Sequence, residues 1–153
     1  MAINKNNSLV ILDWDNTLFP TTWVTKNYIN LNDIEIRNRY LDFFSELDTL
    51  IYNLLKKISE YSKVIIVTNA LPIWIKISSN VLPKTQYILK SIKIVSARKN
   101  YQKVNSDINE WKKLAFKDEV DLELDIKKIQ NIVSIGDASY EYNALINLYN
   151  PNR

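Results

Sequence analysis

Four short, mostly apolar runs are spaced along the chain, and each ends in polar residues. They cover residues 9–12, 64–67, 92–96 and 131–135. Such runs are too short for a helix and are typical of strands buried in a parallel sheet. The stretches between them have helical periodicity. This alternation predicts an α/β fold in which helices cover both faces of a mainly parallel sheet.

Helical periodicity is clearest after the first apolar run. Asn32 and Glu35 have the spacing of a capping box, which predicts the start of a helix. Apolar side chains then recur with a period of 3.6 residues, which predicts one long amphipathic helix. The residues on its apolar face are Tyr40, Phe44, Leu47, Ile51, Leu54 and Ile58.

Other helices are indicated by their first residues. Pro72 and Pro83 suit the first turn of a helix, and Asp107 is a favourable N-cap. Residues 142–150 are predicted to form the last helix. Residues 120–126 alternate apolar and acidic side chains, which indicates a short exposed strand or an irregular edge.

Composition limits the chemistry that the chain can carry. Its 153 residues are 46% hydrophobic and 24% charged, which fits a single globular domain over residues 1–153. Cysteine and histidine are absent, so acid–base chemistry falls to carboxylates, lysines or tyrosines. A net charge of +3 allows an anionic substrate without indicating nucleic-acid binding. With no signal or membrane-spanning segment in the sequence, a cytoplasmic protein without a membrane partner is expected.

Polar side chains follow the apolar runs at the positions where parallel strands bind ligands. Asp13 and Asp15 come directly after the first run, and ligands bind at the carboxyl ends of strands in open α/β sheets. Two carboxylates this close favour a bound cation, and Mg²⁺ prefers such oxygen ligands. A solvated Asp-Asn turn would contain the same residues. Thr68 and Asn69 follow the second run and form either a phosphate seat or a cap for the next helix.

Together these motifs resemble a known family. The pattern Asp-x-Asp-x-Thr at residues 13–17, Thr68 after the second strand and the Gly-Asp pair at residues 136–137 are similar, in this order, to signatures of the haloacid dehalogenase superfamily. The resemblance spans residues 9–145. It implies a three-layer α/β/α sandwich with a Rossmann-like, mainly parallel sheet of four to five strands. The segments between the motifs leave no room for an inserted cap domain.

The resemblance also implies catalytic and metal-binding roles. Asp13 would be the nucleophile that takes the phosphoryl group, and Asp15 the general acid and base. Mg²⁺ would be held by the carboxylate of Asp13, the carbonyl of Asp15 and the carboxylate of Asp137. Thr17 and Glu141 are expected to support these ligands without binding the metal directly. The chain's single glycine, beside Asp137, is expected to allow a close backbone approach or an unusual φ.

Phosphate binding is assigned by the same resemblance to the second signature and to a lysine. Thr68, Asn69 and Lys112 would contact the phosphate oxygens. Lys112 is favoured because it lies on a predicted helix at a spacing before the last signature that is found in several relatives. Three other lysines compete for this role: Lys103, Lys113 and Lys99.

The expected function is that of a Mg²⁺-dependent phosphatase with an aspartyl-phosphate intermediate. A site without a cap suits a bulky phosphorylated substrate, such as a phosphoprotein or a nucleic-acid end, and an oligomer closing over a small metabolite would fit equally. The sequence does not decide the oligomeric state. The alternative is a binding or scaffold protein of the same fold with little turnover. A receiver domain is disfavoured, since its phosphorylated aspartate would lie on a middle strand.

Overall fold

The structure is a computed structural model that describes residues 3–126 and 129–149. Its four strands are β1 (Ser8–Leu12), β2 (Lys63–Thr68), β3 (Lys93–Ser96) and β4 (Asn131–Ile135). They form one sheet in the order β3-β2-β1-β4, and every neighbouring pair is parallel. All four predicted strands are therefore present, and the α/β class with a parallel sheet is confirmed.

Eight helices connect or flank these strands in the described part of the chain. They are α1 (Thr21–Lys26), α2 (Ile34–Arg39), α3 (Leu41–Tyr61), α4 (Pro72–Ser79), α5 (Pro83–Leu89), α6 (Ala97–Tyr101), α7 (Ile108–Ile126) and α8 (Ser139–Leu148). Proline occupies the first turn of α4 and of α5, as predicted. No helix in the described ranges is both long enough and apolar enough to cross a bilayer.

Two helix predictions were wrong in detail. The long helix predicted after Asn32 is divided at Tyr40 into α2 and α3. The N-cap of α2 is Asp33, whose Oδ1 accepts hydrogen bonds from the backbone N–H of Glu35 at 2.9 Å and of Ile36 at 3.4 Å. The first turn is therefore capped one residue later than the capping-box pattern predicted.

Residues 120–126 belong to α7 and form neither a strand nor an irregular edge. Val120 and Glu123 are three residues apart and therefore share one side of the helix. Both are buried, and Glu123 forms an ion pair with Lys63 at the start of β2. The alternation of apolar and acidic residues has a period of two, which indicated a strand, but the buried positions Val120 and Glu123 follow the helical period. The side chains of residues 124–126 lie outside the described part of the structure.

Both faces of the sheet are apolar. Successive residues of a strand point to opposite faces, so a continuous apolar run supplies apolar side chains to both. On one face, Leu9, Ile11 and Val67 belong to a core cluster completed by residues of α7 and α8. On the other face, Leu12 and Ile66 belong to a second cluster, which contains residues of α3, α4 and α5. This two-sided burial explains why the strands consist of continuous apolar runs.

The register brings three strand ends together. Leu12 is level with Ile66 of β2 and with Ile135 of β4, and the backbone N–H of Asp13 continues the ladder by donating to the carbonyl of Ile135 at 2.9 Å. Residues that directly follow β1, β2 and β4 consequently meet at one edge of the sheet.

Candidate functional site

A cavity of about 190 Å³ lies at this edge, beyond the carboxyl ends of β1, β2 and β4. It is lined by Asp13, Asp15, Asn16, Asn69, Ile108, Lys112, Asp137, Ala138, Tyr140 and Glu141. A larger groove of about 470 Å³ lies beside α3 and α5, but Lys84 is the one charged residue in its lining. The smaller cavity holds the concentration of ionisable groups and is the candidate active site.

Asp13 directly follows β1 and is one of the two buried carboxylates in the acidic group of this cavity. Its side chain is held by three donors, and its residue exposure is 5%. Oδ1 accepts hydrogen bonds from the backbone N–H of Trp14 at 2.8 Å and from Lys112 Nζ at 2.9 Å. Oδ2 accepts a longer hydrogen bond from the hydroxyl of Thr17 at 3.4 Å. These contacts fix the orientation of the carboxylate toward the cavity.

The environment of Asp13 shifts its protonation equilibrium. Burial raises the pKa of Asp13 to about 7, and the ammonium of Lys112 opposes the rise, while the nearby carboxyl groups of Asp137 and Glu141 add to it. Burial disfavours a charged carboxylate, and neighbouring negative charge has the same effect. Burial is therefore the main reason that Asp13 resists ionisation, and Lys112 offsets only part of that effect.

Lys112 lies on α7 and is almost completely buried, with 2% of its surface exposed. Its ammonium forms ion pairs with both Asp13 and Glu141. Glu141 is buried in the first turn of α8, and its Oε2 accepts a hydrogen bond from the backbone N–H of Ala138 at 3.0 Å. Lys112 therefore links the end of β1 to the start of α8, and both oxygens of Glu141 are engaged.

Gly136 makes room for this glutamate. A Cβ atom at position 136 would lie 2.5 Å from Glu141 Cδ and 2.6 Å from its Oε2, far inside van der Waals contact. No glycine in the structure has a positive φ. Of the two reasons expected for a glycine here, the close approach is confirmed and the unusual φ was wrong.

Three carboxylates converge in the cavity. Oxygen atoms of Asp13, Asp137 and Glu141 lie within 4.8 Å of one another. Asp137 is exposed whereas the other two are buried, so it forms the solvent side of the cluster. Hard oxygen donors at this spacing suit Mg²⁺. Because Glu141 already accepts from Lys112 and from Ala138, Asp13 and Asp137 are the better candidates for direct ligands.

The carboxylate of Asp15 is not a member of this cluster. Its Oδ1 accepts hydrogen bonds from the hydroxyl of Thr21 at 2.5 Å and from the indole N–H of Trp74 at 2.6 Å. The next residue, Asn16, has a φ of 60°, a left-handed conformation that Asn tolerates better than most residues. The turn at Asn16 aims Asp15 toward α1 and α4, and the residue still lines the cavity.

Thr68 and Asn69 have different environments. Thr68 is fully buried and outside the cavity lining, and its hydroxyl accepts a hydrogen bond from the backbone N–H of Ala70 at 3.0 Å. The alternative that Thr68 or Asn69 caps the next helix was wrong, because the N-cap of α4 is Leu71 and no side chain caps it. Asn69 does line the cavity, and its buried side-chain nitrogen and oxygen have no hydrogen-bond partner. A buried amide without hydrogen-bond partners raises the free energy of the folded protein, so a polar ligand that forms hydrogen bonds with Asn69 would be favoured.

The competing lysines lie elsewhere, since none of them lines the cavity. Lys113 forms an ion pair with Glu110 on its own helix at 3.0 Å. Lys99 and Lys103 are both exposed. The structure thus brings Lys112 to Asp13 and leaves the other three outside.

Sequence reasoning did not identify four residues of the cavity wall: Asn16, Ile108, Ala138 and Tyr140. Ile108 begins α7 and stands four residues before Lys112, on the same side of the helix. Tyr140 directly precedes Glu141 in the first turn of α8. Their spacing from the predicted site residues was the available signal.

Comparison with protein-family models, with curated proteins and with solved structures finds no match for this chain.

Proposed function

We propose that this protein is a Mg²⁺-dependent phosphomonoester hydrolase that forms an aspartyl-phosphate on Asp13, built on a capless three-layer α/β/α fold of the haloacid dehalogenase type. The observation that supports it most directly is the 2.9 Å contact between Lys112 Nζ and Asp13 Oδ1 in the cavity that Asp137 also lines. A carboxylate nucleophile, a fixed cation and a second carboxylate for a metal are the parts that phosphoryl transfer requires.

In the first step, an oxygen of Asp13 attacks the phosphorus atom. A new P–O bond forms to Asp13 while the bond from phosphorus to the leaving oxygen breaks. The leaving oxygen takes a proton from the carboxyl group of Asp15. Lys112 and the unpaired amide of Asn69 donate to the phosphate oxygens and stabilise their negative charge.

In the second step, water hydrolyses the aspartyl-phosphate. Asp15, now ionised, accepts a proton from the water molecule as its oxygen attacks phosphorus. The bond between phosphorus and the Asp13 oxygen breaks, and inorganic phosphate leaves. The hydrogen bonds to Asp15 from Thr21 and Trp74 both end on Oδ1, so Oδ2 carries the proton in this scheme.

The residues present fit a magnesium ion. Asp13 and Asp137 would hold it, because their oxygens approach each other and Asp137 is open to solvent. Bound there, the ion would neutralise charge on the phosphate and on the two carboxylates.

The test is hydrolysis of an aryl phosphate with Mg²⁺ and with a chelator. Asp13→Asn keeps the shape of the side chain and removes the nucleophile, so activity should fall at least about a thousandfold. Asp42→Asn, which alters an exposed carboxylate at the start of α3, is the matched control and should retain activity. Beryllium fluoride should add to Asp13. Activity that persists in chelator, or in Asp13→Asn, would contradict the proposal.

A second candidate is a binding or scaffold protein with little turnover. It is favoured by one observation, namely that the carboxylate of Asp15 ties the loop after β1 to α1 and α4 through Thr21 and Trp74. Asp15→Asn separates the two candidates, because the amide oxygen still accepts these hydrogen bonds but the group no longer exchanges a proton. An enzyme loses turnover in this variant at nearly unchanged stability, whereas a scaffold keeps its partner binding.

A further inference from the structure

An apolar groove of about 320 Å³ opens beside the catalytic cavity. The turn after β1, helix α1 and the start of α3 form its walls, which consist of Asn16, Thr17, Leu18, Phe19, Pro20, Trp23, Phe43 and Leu47. Trp23 and Phe43 pack together with their ring centroids 4.6 Å apart. Phe43 remains 42% exposed, so an aromatic surface faces solvent at this point. The volume is at the lower end of the range for ligand-binding pockets, about 300–1,000 Å³.

The groove is continuous with the candidate active site. Asn16 lines both the groove and the catalytic cavity. Thr17, another groove residue, donates its hydroxyl hydrogen bond to Asp13 Oδ2. When the phosphate of a substrate lies against Asp13, the leaving group of that substrate is therefore within reach of the groove.

The electrostatics of the groove select among bulky substrates. None of the residues that line it is charged. Exposed charges of both signs adjoin its walls, since Asp42 and Glu46 precede Phe43 and Leu47 on α3 and Lys26 follows Trp23 by three residues on α1. Proteins that hold single-stranded nucleic acid combine aromatic stacking with a positively charged groove. Aromatic walls without a cation among the lining residues favour an uncharged, apolar group over a polyanion.

We propose that this groove binds an apolar side chain of a phosphopeptide, close to the phosphorylated residue that occupies the catalytic cavity. The placement of the phosphate rests on the proposed function, and the groove supplies the selectivity. A single side chain, Asn16, borders both spaces, and an extended chain advances about 3.3–3.6 Å per residue. The apolar side chain therefore lies within about three residues of the phosphorylated one.

The test uses phosphoserine peptides that are identical except for one position. A single Phe is moved through the three positions on each side of phosphoserine in an otherwise Ala and Gly sequence. A 5′-phosphorylated oligonucleotide serves as the polyanionic competitor. Dissociation constants are measured by calorimetry with Mg²⁺ present, in Asp13→Asn protein so that the peptide is not consumed, and kcat/KM is measured with the wild-type protein.

We expect Phe at one position to tighten binding about tenfold over the all-Ala peptide, since that is the scale of burying part of an aromatic ring. Adding Phe43→Ala should abolish this preference. Leu50→Ala, which removes an apolar side chain that is 62% exposed on the same helix and outside the groove, should preserve it. Equal affinity for all peptides, a preference unchanged by Phe43→Ala, or tighter binding of the oligonucleotide would overturn the proposal.

The two proposals fail separately. Hydrolysis of phosphopeptides without any preference for Phe would leave the phosphatase function standing and remove the role of the groove. Selective binding of the Phe peptide without hydrolysis in the wild-type protein would retain the groove as a peptide site and refute the proposed function.

Discussion

Replacing Lys112 by Met tests whether the site is assembled around a buried cation. Met keeps much of the apolar stem of lysine and removes the ammonium that pairs with Asp13 and Glu141. Both carboxylates are about 95% buried, so the variant leaves buried charge without a partner. Removing one member of a buried ion pair costs about 3–5 kcal/mol of unfolding free energy. We expect a loss of this size at pH 8 in metal-free buffer.

The loss should depend on pH with a defined sign. The pKa of Asp13 is raised by burial, and Lys112 is the group that opposes the rise, so the pKa rises further in the variant. A carboxyl group whose pKa is higher in the folded protein makes folding less favourable as pH increases from its unfolded pKa to its folded one. At pH 5 Asp13 is protonated and uncharged, so its part of the cost should shrink, while the cost of leaving the buried Glu141 without the ammonium remains.

Urea unfolding followed by tryptophan fluorescence measures both values, since the chain has four tryptophans. Lys113→Met is the matched control, because Lys113 is adjacent on α7, partly exposed and paired with Glu110. Its cost should stay below about 1 kcal/mol at either pH. Glu141→Gln added to Lys112→Met should recover part of the loss. Equal costs for the two lysine variants, or no difference between pH 5 and pH 8, would refute the reasoning.

Three further predictions concern stability. Gly136→Ala should destabilise the protein by about 1–3 kcal/mol in thermal unfolding, through the clash with Glu141. The double variant Gly136→Ala/Glu141→Ala should cost less than the sum of the two single variants, and additive costs would contradict the close approach. Asp48→Ala should cost about 2 kcal/mol in urea unfolding, because Asp48 on α3 accepts from the backbone N–H of Lys84 at 3.0 Å and of Thr85 at 2.7 Å at the start of α5; a change within error would exclude a capping role. In metal-free wild-type protein, the contribution of Asp13 to the unfolding free energy should fall as pH rises from about 4 to 7, because burial raises its pKa to about 7. Mg²⁺ should oppose this fall. Comparison with Asp13→Asn isolates the contribution, and an increase over this pH range would contradict the raised pKa.

Local patterns determined much of the architecture. The four strands, the prolines that begin α4 and α5 and the position of Asp13 at the end of β1 are encoded in short stretches of sequence, because a short continuous apolar run is typical of a strand in a parallel sheet and proline suits the first turn of a helix. Local patterns misplaced the features that depend on distant contacts. The division at Tyr40 and the helical state of residues 120–126 are examples, and Val120 and Glu123 face partners from elsewhere in the chain.

The site itself combines both kinds of information. The sequence placed acids and amides at strand ends, but the environments of Lys112 and Lys113 were decided by the rotation of α7 against the sheet. These neighbours are separated by about 100° around the helix axis, which places one against Asp13, 99 positions away, and the other at the surface. Likewise, the missing hydrogen-bond partners of Asn69 and the space that Gly136 leaves for Glu141 exist only in the folded chain. Burial and unpaired polar atoms are properties of the packed molecule, because each depends on which distant residues exclude water.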